Sequence, residues 1–516
     1  MRIRFLLLLM LTSCWSWGQE SLLLPSHDFF KQEAIFRADK LPLSFPASYL
    51  EIPKRTNAWN EYQKARQSWL GRKLYNEHLF VISDGILYLT VDPIVDFQYG
   101  TDLADIPKEI YQNTRGFIVE GEILKQLSFS TSYYENQSAF AQYLTDAYSA
   151  RGEQKLVNGA YITEHAVIPN ALRTKPFGID GFDYGYSASY VRWRQSKYLT
   201  LQLGSSPEFE GYGKRSLLLS DFAPASTQFK IETEFAPQWK YSFQIGKALN
   251  LLRRQFYTTV EAPFERKARS VHRLSYSPMS NLNITLFESG IWFKEDSLQS
   301  KNVPMEYYLP VPLLNTALHG FEDAKVKNLV GVNIGYRWKE KYLIYAQFLT
   351  DDFKNKQFGL QLGTRTHMSF GKHELSVLLE YNQTSEELYQ ANNRRLAYTS
   401  FNLPLAYSLG NSTTEILGEV SYFYRNFYIQ GFATFYKNLG FSNSLNNVFE
   451  TKGEDIASSL YSTWFLSGEL GYRFNAHTNL RGFVKASYRI DEQSGINAKI
   501  IQLGIRTALR NKHHNY

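Results

Sequence analysis

The chain has 516 residues, a formal net charge of +7 and 44% hydrophobic residues, and it carries 36 Tyr, 36 Phe and 9 Trp. So much ring surface excludes a solvated disordered chain, and no stretch after residue 20 reaches the roughly 18 consecutive apolar residues of a membrane-spanning helix. A charged fraction of only 20% together with 32 Gly suits alternating strands, in either a transmembrane β-barrel or a large secreted β-protein.

Arg2 and Arg4 precede the apolar run Phe5 to Leu11, and the small residues Ser16 and Gly18 suit cleavage before Gln19. Residues 1–18 therefore read as a secretory signal peptide. Leu11-Thr12-Ser13-Cys14 also resembles a lipobox, which would make a lipidated Cys14 the first mature residue; the very short segment before it favours ordinary cleavage. Cys14 is the only cysteine, so no intramolecular disulfide can form. Residues 19–84 read as an N-terminal periplasmic segment, with helices predicted at Ser26 to Asp39 and Asn57 to Glu77. Asn57 is the expected cap, and Trp59, Tyr62, Trp69 and Leu70 form an apolar face suited to a plug near a barrel mouth.

From Leu87 onward the pattern has period 2. Over Asp180 to Arg194 one face reads Phe182, Tyr184, Tyr186, Ala188, Tyr190 and the other Asp183, Gly185, Ser187, Ser189. Over Gln357 to Met368, Phe358, Leu360, Leu362 and Met368 oppose Gln361, Arg365 and His367. Over Trp464 to Phe474, Trp464, Leu466, Leu470 and Tyr472 oppose Glu469 and Arg473. The apolar faces are expected to meet lipid and the polar ones the lumen. Trp193, Trp239, Trp338 and Phe474 near strand ends suit interfacial girdles.

Tight turns are predicted near Leu124 to Gln126, Gln195-Ser196, Pro237 to Trp239, Pro278 to Asn281, Lys339 to Lys341, Gly371-Lys372, Arg425-Asn426 and Asn475 to His477. Between them lie long segments read as polar loops at 137–179, 205–226, 248–269, 294–325, 383–414 and 437–463. Short turns at one end and long loops at the other are the asymmetry of outer-membrane barrels. The predicted fold is an all-β membrane protein: a closed antiparallel transmembrane barrel of about 18 strands over residues 85–510, with long extracellular loops, a small N-terminal helical segment and a polar tail at 511–516.

Signals for chemistry are weak. The ten His are dispersed, and no zinc, phosphate-loop, dinucleotide or serine-hydrolase pattern occurs. Asp351-Asp352 and Glu386-Glu387 are read as loop carboxylates, unsuited to paired acid–base work because sequence neighbours diverge. The expectation is no enzyme, no cofactor and no metal. Basic residues form no stripe, so nucleic acid is not an expected partner, whereas an acidic glycan fits.

One segment stands apart: Gly211-Tyr212-Gly213-Lys214-Arg215-Ser216-Leu217-Leu218-Leu219-Ser220-Asp221. Its glycines permit a sharp entry, and its leucines call for burial. Tyr212, Lys214, Arg215 and Asp221 are the candidate ligand-binding or loop-organising residues, with Arg215 expected to pair with Asp221 if the segment folds back into the barrel.

The same run resembles the G-x-G-x-R-S-L-L-L-S-D signature of the Wzi-like capsule assembly family, which includes RemB-like gliding motility proteins of Bacteroidetes. Leu286-Phe287-Glu288-Ser289, Tyr345 to Phe353 and Tyr398 to Gly410 carry further resemblance, with Tyr407-Ser408 standing where the family pattern has His-Pro. The resemblance spans about residue 80 to the C-terminus. It implies an outer-membrane barrel in contact with lipid that binds surface polysaccharide in capsule organisation. An accessory role in gliding or type IX secretion through protein partners, and a porin-like channel, are the alternatives.

Ordinary cleavage makes Gln19 the first mature residue. N-terminal sequencing of the exported protein should read from Gln19, whereas fatty-acid labelling that is lost in Cys14→Ser would establish the lipobox instead.

Overall fold

The computed structural model describes residues 36, 41, 65–104, 107–157, 160–253, 263–294, 302–438, 461–492, 495, 497–507 and 512–514, apart from the side chains of 154–162 and 394. The predicted leader, Cys14, Trp59, Tyr62 and most of the 437–463 connection lie outside the described residues. Eighteen strands build the wall. They are β1 (Leu87–Asp102), β2 (Lys108–Ile123), β3 (Leu127–Ala139), β4 (Gly181–Arg194), β5 (Leu199–Ser205), β6 (Thr227–Ala236), β7 (Trp239–Arg253), β8 (Phe264–Met279) and β9 (Leu282–Phe293), followed by β10 (Val326–Trp338), β11 (Tyr342–Asp352), β12 (Gln357–Phe370), β13 (His373–Thr384), β14 (Thr413–Tyr424), β15 (Phe427–Asn438), β16 (Tyr461–Asn475), β17 (Leu480–Asp491) and β18 (Ala498–Arg506). Sequential strands pair antiparallel, and β18 returns to β1 in the register Asp96↔Arg506 to Asp102↔Ile500. The result is a closed antiparallel barrel of 18 strands.

All eight predicted tight turns are present, and all lie at one end of the barrel. Several use positive φ at non-glycine residues, such as Leu124 (52°) with Lys125 (55°) and Lys339 (48°) with Glu340 (55°). A two-residue hairpin accepts this strain because its backbone twist then matches that of the strands. Trp193, Trp239 and Trp338 sit at this end, where Trp239 stacks on Tyr276 at 4.3 Å.

At the opposite end the segment 248–269, expected as a loop, is mostly strand: β7 runs to Arg253 and β8 starts at Phe264. Strand β6 is too short to cover the top of β7. The backbone there pairs instead with Phe401, whose N–H donates to the Leu249 carbonyl at 2.8 Å, and aligns in parallel with Gln154. Asp351 and Asp352, also read as loop residues, close strand β11; Asp351 is buried against Lys327 (3.4 Å) and the Tyr389 N–H (2.8 Å).

The face assignments hold for β12 and β16. Phe358, Leu362, Trp464, Leu466 and Leu470 are exposed outward, and Gln361, Arg365, Glu469 and Arg473 are buried inward. On β4 the assignment is reversed. Phe182, Tyr184, Tyr186, Ala188 and Tyr190 are buried toward the lumen, and Asp183, Gly185, Ser187 and Ser189 face out. Here the lumen is filled with protein, so the apolar face has partners inside. Phe182 and Tyr184 lie near Phe140, and Tyr186 stacks on Tyr134 at 4.5 Å.

Short helices accompany the wall in the described residues, among them α1 (Trp69–Tyr75), α2 (Gln142–Ala150) and α3 (Leu314–His319). Helix α1 is capped by Ser68, whose Oγ accepts the Gly71 N–H at 3.2 Å, and none of its residues is buried. Asn475 ties it to the short-turn end by donating to the carbonyls of Lys73 and Glu77, both at 3.0 Å.

Leu466 lies on the outward face of β16. Leu466→Arg should cost about 2–4 kcal/mol if the residue sits near the bilayer midplane. Urea titration of the folded barrel, read by heat-modifiable gel mobility, measures this; an unchanged midpoint would place Leu466 away from hydrocarbon.

Candidate functional site

An 18-stranded barrel encloses more space than its own side chains fill. The connection between β5 and β6, residues 206–226, turns into this space, and nearly every residue of it is buried. Gly211 has φ 113°, and an added Cβ would lie 2.1 Å from the Gln347 side chain. At Gly213 the same atom would lie 2.3 Å from a Glu380 oxygen. Both glycines therefore let the backbone run hard against the wall. Leu217, Leu218 and Leu219 are fully buried. The Leu217 N–H donates to Gln347 Oε1 at 2.8 Å, Tyr389 donates to the Leu217 carbonyl at 2.7 Å, and Tyr398 donates to the Leu218 carbonyl at 3.1 Å.

Tyr389 and Tyr398 belong to a second inward segment, residues 385–412 between β13 and β14. The two segments meet over a pair of buried carboxylates. Glu380 accepts the N–H groups of Lys214 (2.8 Å) and Arg215 (3.1 Å) and the hydroxyl of Tyr345 (2.7 Å). Glu415 receives the Arg215 guanidinium (Nη2 at 3.0 Å) and the hydroxyls of Tyr407 (2.7 Å) and Thr434 (2.9 Å). Tyr407, where the family pattern carries His, is thus a buried donor to the carboxylate that holds Arg215.

In place of the expected Arg215–Asp221 pair, each residue has another charged partner. Arg215 spans to Glu415 on the wall, and Asp221 meets His513 at 3.4 Å. Six residues apart in an irregular segment, the two side chains are drawn to different partners. Tyr212 is buried with its ring against Gly335, where an added Cβ would lie 2.4 Å from it. Lys214 pairs with Glu419 at 2.6 Å. Lys214, Arg215 and Asp221 border one cavity; Tyr212 does not.

This cavity, about 290 Å³, lies between the inward segments and the wall formed by β14 to β18 and β1 to β3. Residues 512–514 return into the lumen beside it. Lys512 pairs with Asp96, and Tyr143 of α2 donates to the His514 carbonyl at 2.9 Å. Near the short-turn end the register places Arg473 opposite Arg481, and Arg481 opposite Arg506. Three arginines therefore stand side by side on adjacent strands, an arrangement that is unfavourable for like charges unless counter-charge is supplied. Glu469 supplies part of it, pairing with Arg506 at 2.7 Å, and Asp96, opposite Arg506 in the register and also paired with Lys512, supplies more. Among the described residues Arg481 and Lys485 make no ion pair, and the Arg481 guanidinium lies 5.3 Å over the Tyr428 ring. Arg481, Lys485 and Arg506 were missed in the sequence, although period-2 alternation places all three facing inward.

No protein-family model and no curated relative matches the sequence. Among solved structures the chain is similar to Wzi, an outer membrane protein involved in group 1 capsule assembly in Escherichia coli and a carbohydrate-binding β-barrel. The TM-score is 0.54 at 14% identity, over 95% of this chain and 100% of that one. It also aligns with OccK2 (OpdF) of Pseudomonas aeruginosa in complex with glucuronate, at a TM-score of 0.43 and 10% identity, over 82% of this chain and 98% of that one. At these identities the likeness to Wzi shows a shared outer-membrane barrel fold. The gliding branch of the expected resemblance gains no support from it.

Arg215→Ala leaves Glu415 buried without its cation and should cost about 3–5 kcal/mol. Urea unfolding in detergent should show this loss, with much of it recovered in the double variant Arg215→Ala/Glu415→Gln. A single variant as stable as the parent would mean that the pair does not organise the inward segment.

Proposed function

We propose that the chain is a non-enzymatic outer-membrane binding protein that holds an anionic surface polysaccharide in its lumen. The observation that carries this reading is the arginine row on β16, β17 and β18, with Lys485 two positions beyond Phe483 on the same inward face. A carboxylate- or phosphate-bearing sugar would complete the counter-charge that Glu469 and Asp96 supply only in part to Arg473, Arg481, Arg506, Lys485 and Lys512, through charge-assisted hydrogen bonds. The partly exposed Phe423 borders the same cavity, a ring that suits the apolar face of a sugar. The cavity volume is near the lower end of ligand pockets, about 300–1,000 Å³, so a chain end or a short acidic stretch is the fitting ligand. The carbohydrate-binding character of Wzi supports the same ligand class. The asymmetry of bacterial barrels puts the short turns in the periplasm and the long loops outside, with lipid around the wall. No cofactor or metal enters this reading.

Binding of matched acidic and uncharged oligosaccharides to the purified full chain, followed by calorimetry, tests it. Only the acidic series should bind, and Arg481→Ala/Lys485→Ala should weaken it about tenfold, or ~1.4 kcal/mol. Equal binding of both series, or an unaffected double variant, would overturn the lumen site. A deletion strain that keeps its surface glycan but loses spreading would move the function to gliding or secretion partners. Porin-level conductance in planar bilayers would move it to a channel.

A further inference from the structure

Outward positions on β8 to β10 are occupied by residues ill-suited to lipid. The register sets His272 opposite Glu288, and Ser270 and Asn328 flank Gly290. Their alternating neighbours Arg273 and Leu329 point into the lumen, where Arg273 meets Glu210 at 2.7 Å. His272, Glu288, Ser270 and Asn328 therefore stand on the outer face of the wall, yet all four are almost completely buried.

Glu288, Ser270 and Asn328 are covered by a strap from the 294–325 connection, which the sequence pattern presented as a polar loop, whereas His272 packs on the Phe243 ring at 4.8 Å and meets the Tyr241 hydroxyl at 2.8 Å, both on β7. Glu288 accepts the N–H of Leu313 (2.7 Å) and both the N–H (2.9 Å) and hydroxyl (2.7 Å) of Thr316. Asn315 reaches Ser270 at 3.4 Å, and Asn328 donates to the Gly320 carbonyl at 2.8 Å. Tyr307 sets its ring edge on Trp292 and donates to the Gly246 carbonyl at 3.2 Å. The strap thus satisfies the polar wall with its inner side. Its outer side is apolar: Met305 (70% exposed), Tyr308, Val311, Leu313 and Leu318 (58% exposed). No Lys or Arg occurs from residue 302 to 324.

Its height on the wall selects the occupant. Glu288 lies six positions along β9 from Leu282 at the short turn, roughly 20 Å along a strand and, at a tilt near 45°, about 14 Å in height. That falls inside the apolar band, about 25 Å tall, of an outer-membrane barrel. The strap is also continuous with the lipid-facing side chains below it, Ile334 and Tyr336 on β10.

We propose that residues 304–318 form a strap embedded in the outer leaflet, whose Met305, Tyr308, Val311, Leu313 and Leu318 contact acyl chains while its inner side screens Glu288 from hydrocarbon. An ionisable carboxyl at this depth is tolerated only with its partners supplied by protein. The strap supplies them to Glu288 and continues the barrel's lipid surface over it.

Nitroxide labels at Val311→Cys and Leu318→Cys, placed one at a time in a Cys14→Ser background of the full chain in bilayers, test the proposal. Heat-modifiable gel mobility confirms folding of each. The expected result is high accessibility to oxygen and low accessibility to a water-soluble nickel chelate. Their ratio should match that of a Leu466→Cys label on the lipid-facing wall and lie several-fold above that of an Asn355→Cys label in the turn after β11. A ratio equal to that at Asn355 would place the strap in water and overturn the proposal. Low accessibility to both reagents would also overturn it, by showing that a second protein copy covers this face.

Discussion

Backbone pairing within hydrocarbon governs the whole molecule, because a donor left open there costs several kcal/mol and only a closed sheet leaves none. The seam shows how narrowly this is met. Strand β18 pairs with β1 only from Asp96 to Asp102. Lower on β1 the edge is taken by the short strand Phe80–Ser83, in the register Phe80↔Val91 to Ser83↔Tyr88. Between these two partners, the Thr507 N–H donates to the Val95 carbonyl at 2.9 Å and the Leu79 N–H to Asp92 at 2.8 Å. The upper edge of β4, above the seven-residue β5, is likewise covered by Arg173–Phe177. At both places, where a barrel strand stops short, another piece of chain completes the ladder.

Closure with 18 strands creates the second demand, an interior too wide to be filled from the wall. Loops fill it. Each leucine of Leu217 to Leu219 contributes roughly 1.5–3 kcal/mol on burial, but the segment also brings backbone groups and charges that must be matched. Glu380, Gln347 and Glu415 match them from the wall, and Tyr389, Tyr398 and Tyr407 from the second inward segment. Arg215 and Asp221, paired in expectation from sequence, take Glu415 and His513 as charged partners. The segment's position is set by side chains more than a hundred residues away.

That distance marks what could be read beforehand. Turn chemistry and period-2 alternation are local, so the eight short turns, the strand count and the faces of β12 and β16 were legible. The face of β4 was not, because aromatic alternation is the same whether the rings meet lipid or a protein-filled lumen. The loop at 248–269 was misjudged because its backbone partners, Gln154 and Phe401, are remote in sequence. In the site, the 211–221 segment announced itself through two glycines beside three leucines. The arginine row did not, since each arginine is unremarkable on its own strand and only the register gathers them.

The register also bears on why that row is retained. Arg473, Arg481 and Arg506 occupy consecutive strands at the same level, where like charges opposite one another destabilise a sheet by roughly 0.2–1 kcal/mol a pair. Elsewhere in this lumen cations are matched closely: Arg192 and Lys230 share Glu232, and Arg269 and Arg273 share Glu208. Glu208 locks the inward segment to β8, and Glu232 joins neighbouring strands of the wall. The arginine row instead borders the cavity, where two carboxylates, Glu469 and Asp96, the latter opposite Arg506 and also paired with Lys512, face Arg473, Arg481, Arg506, Lys485 and Lys512. A cluster that only held the fold together would gain from further acids at this level, and the cavity leaves room for them. Leaving that room unfilled by the chain keeps a fixed positive field over a space that a soluble anion can enter, which is the electrostatic preorganisation a binding site needs.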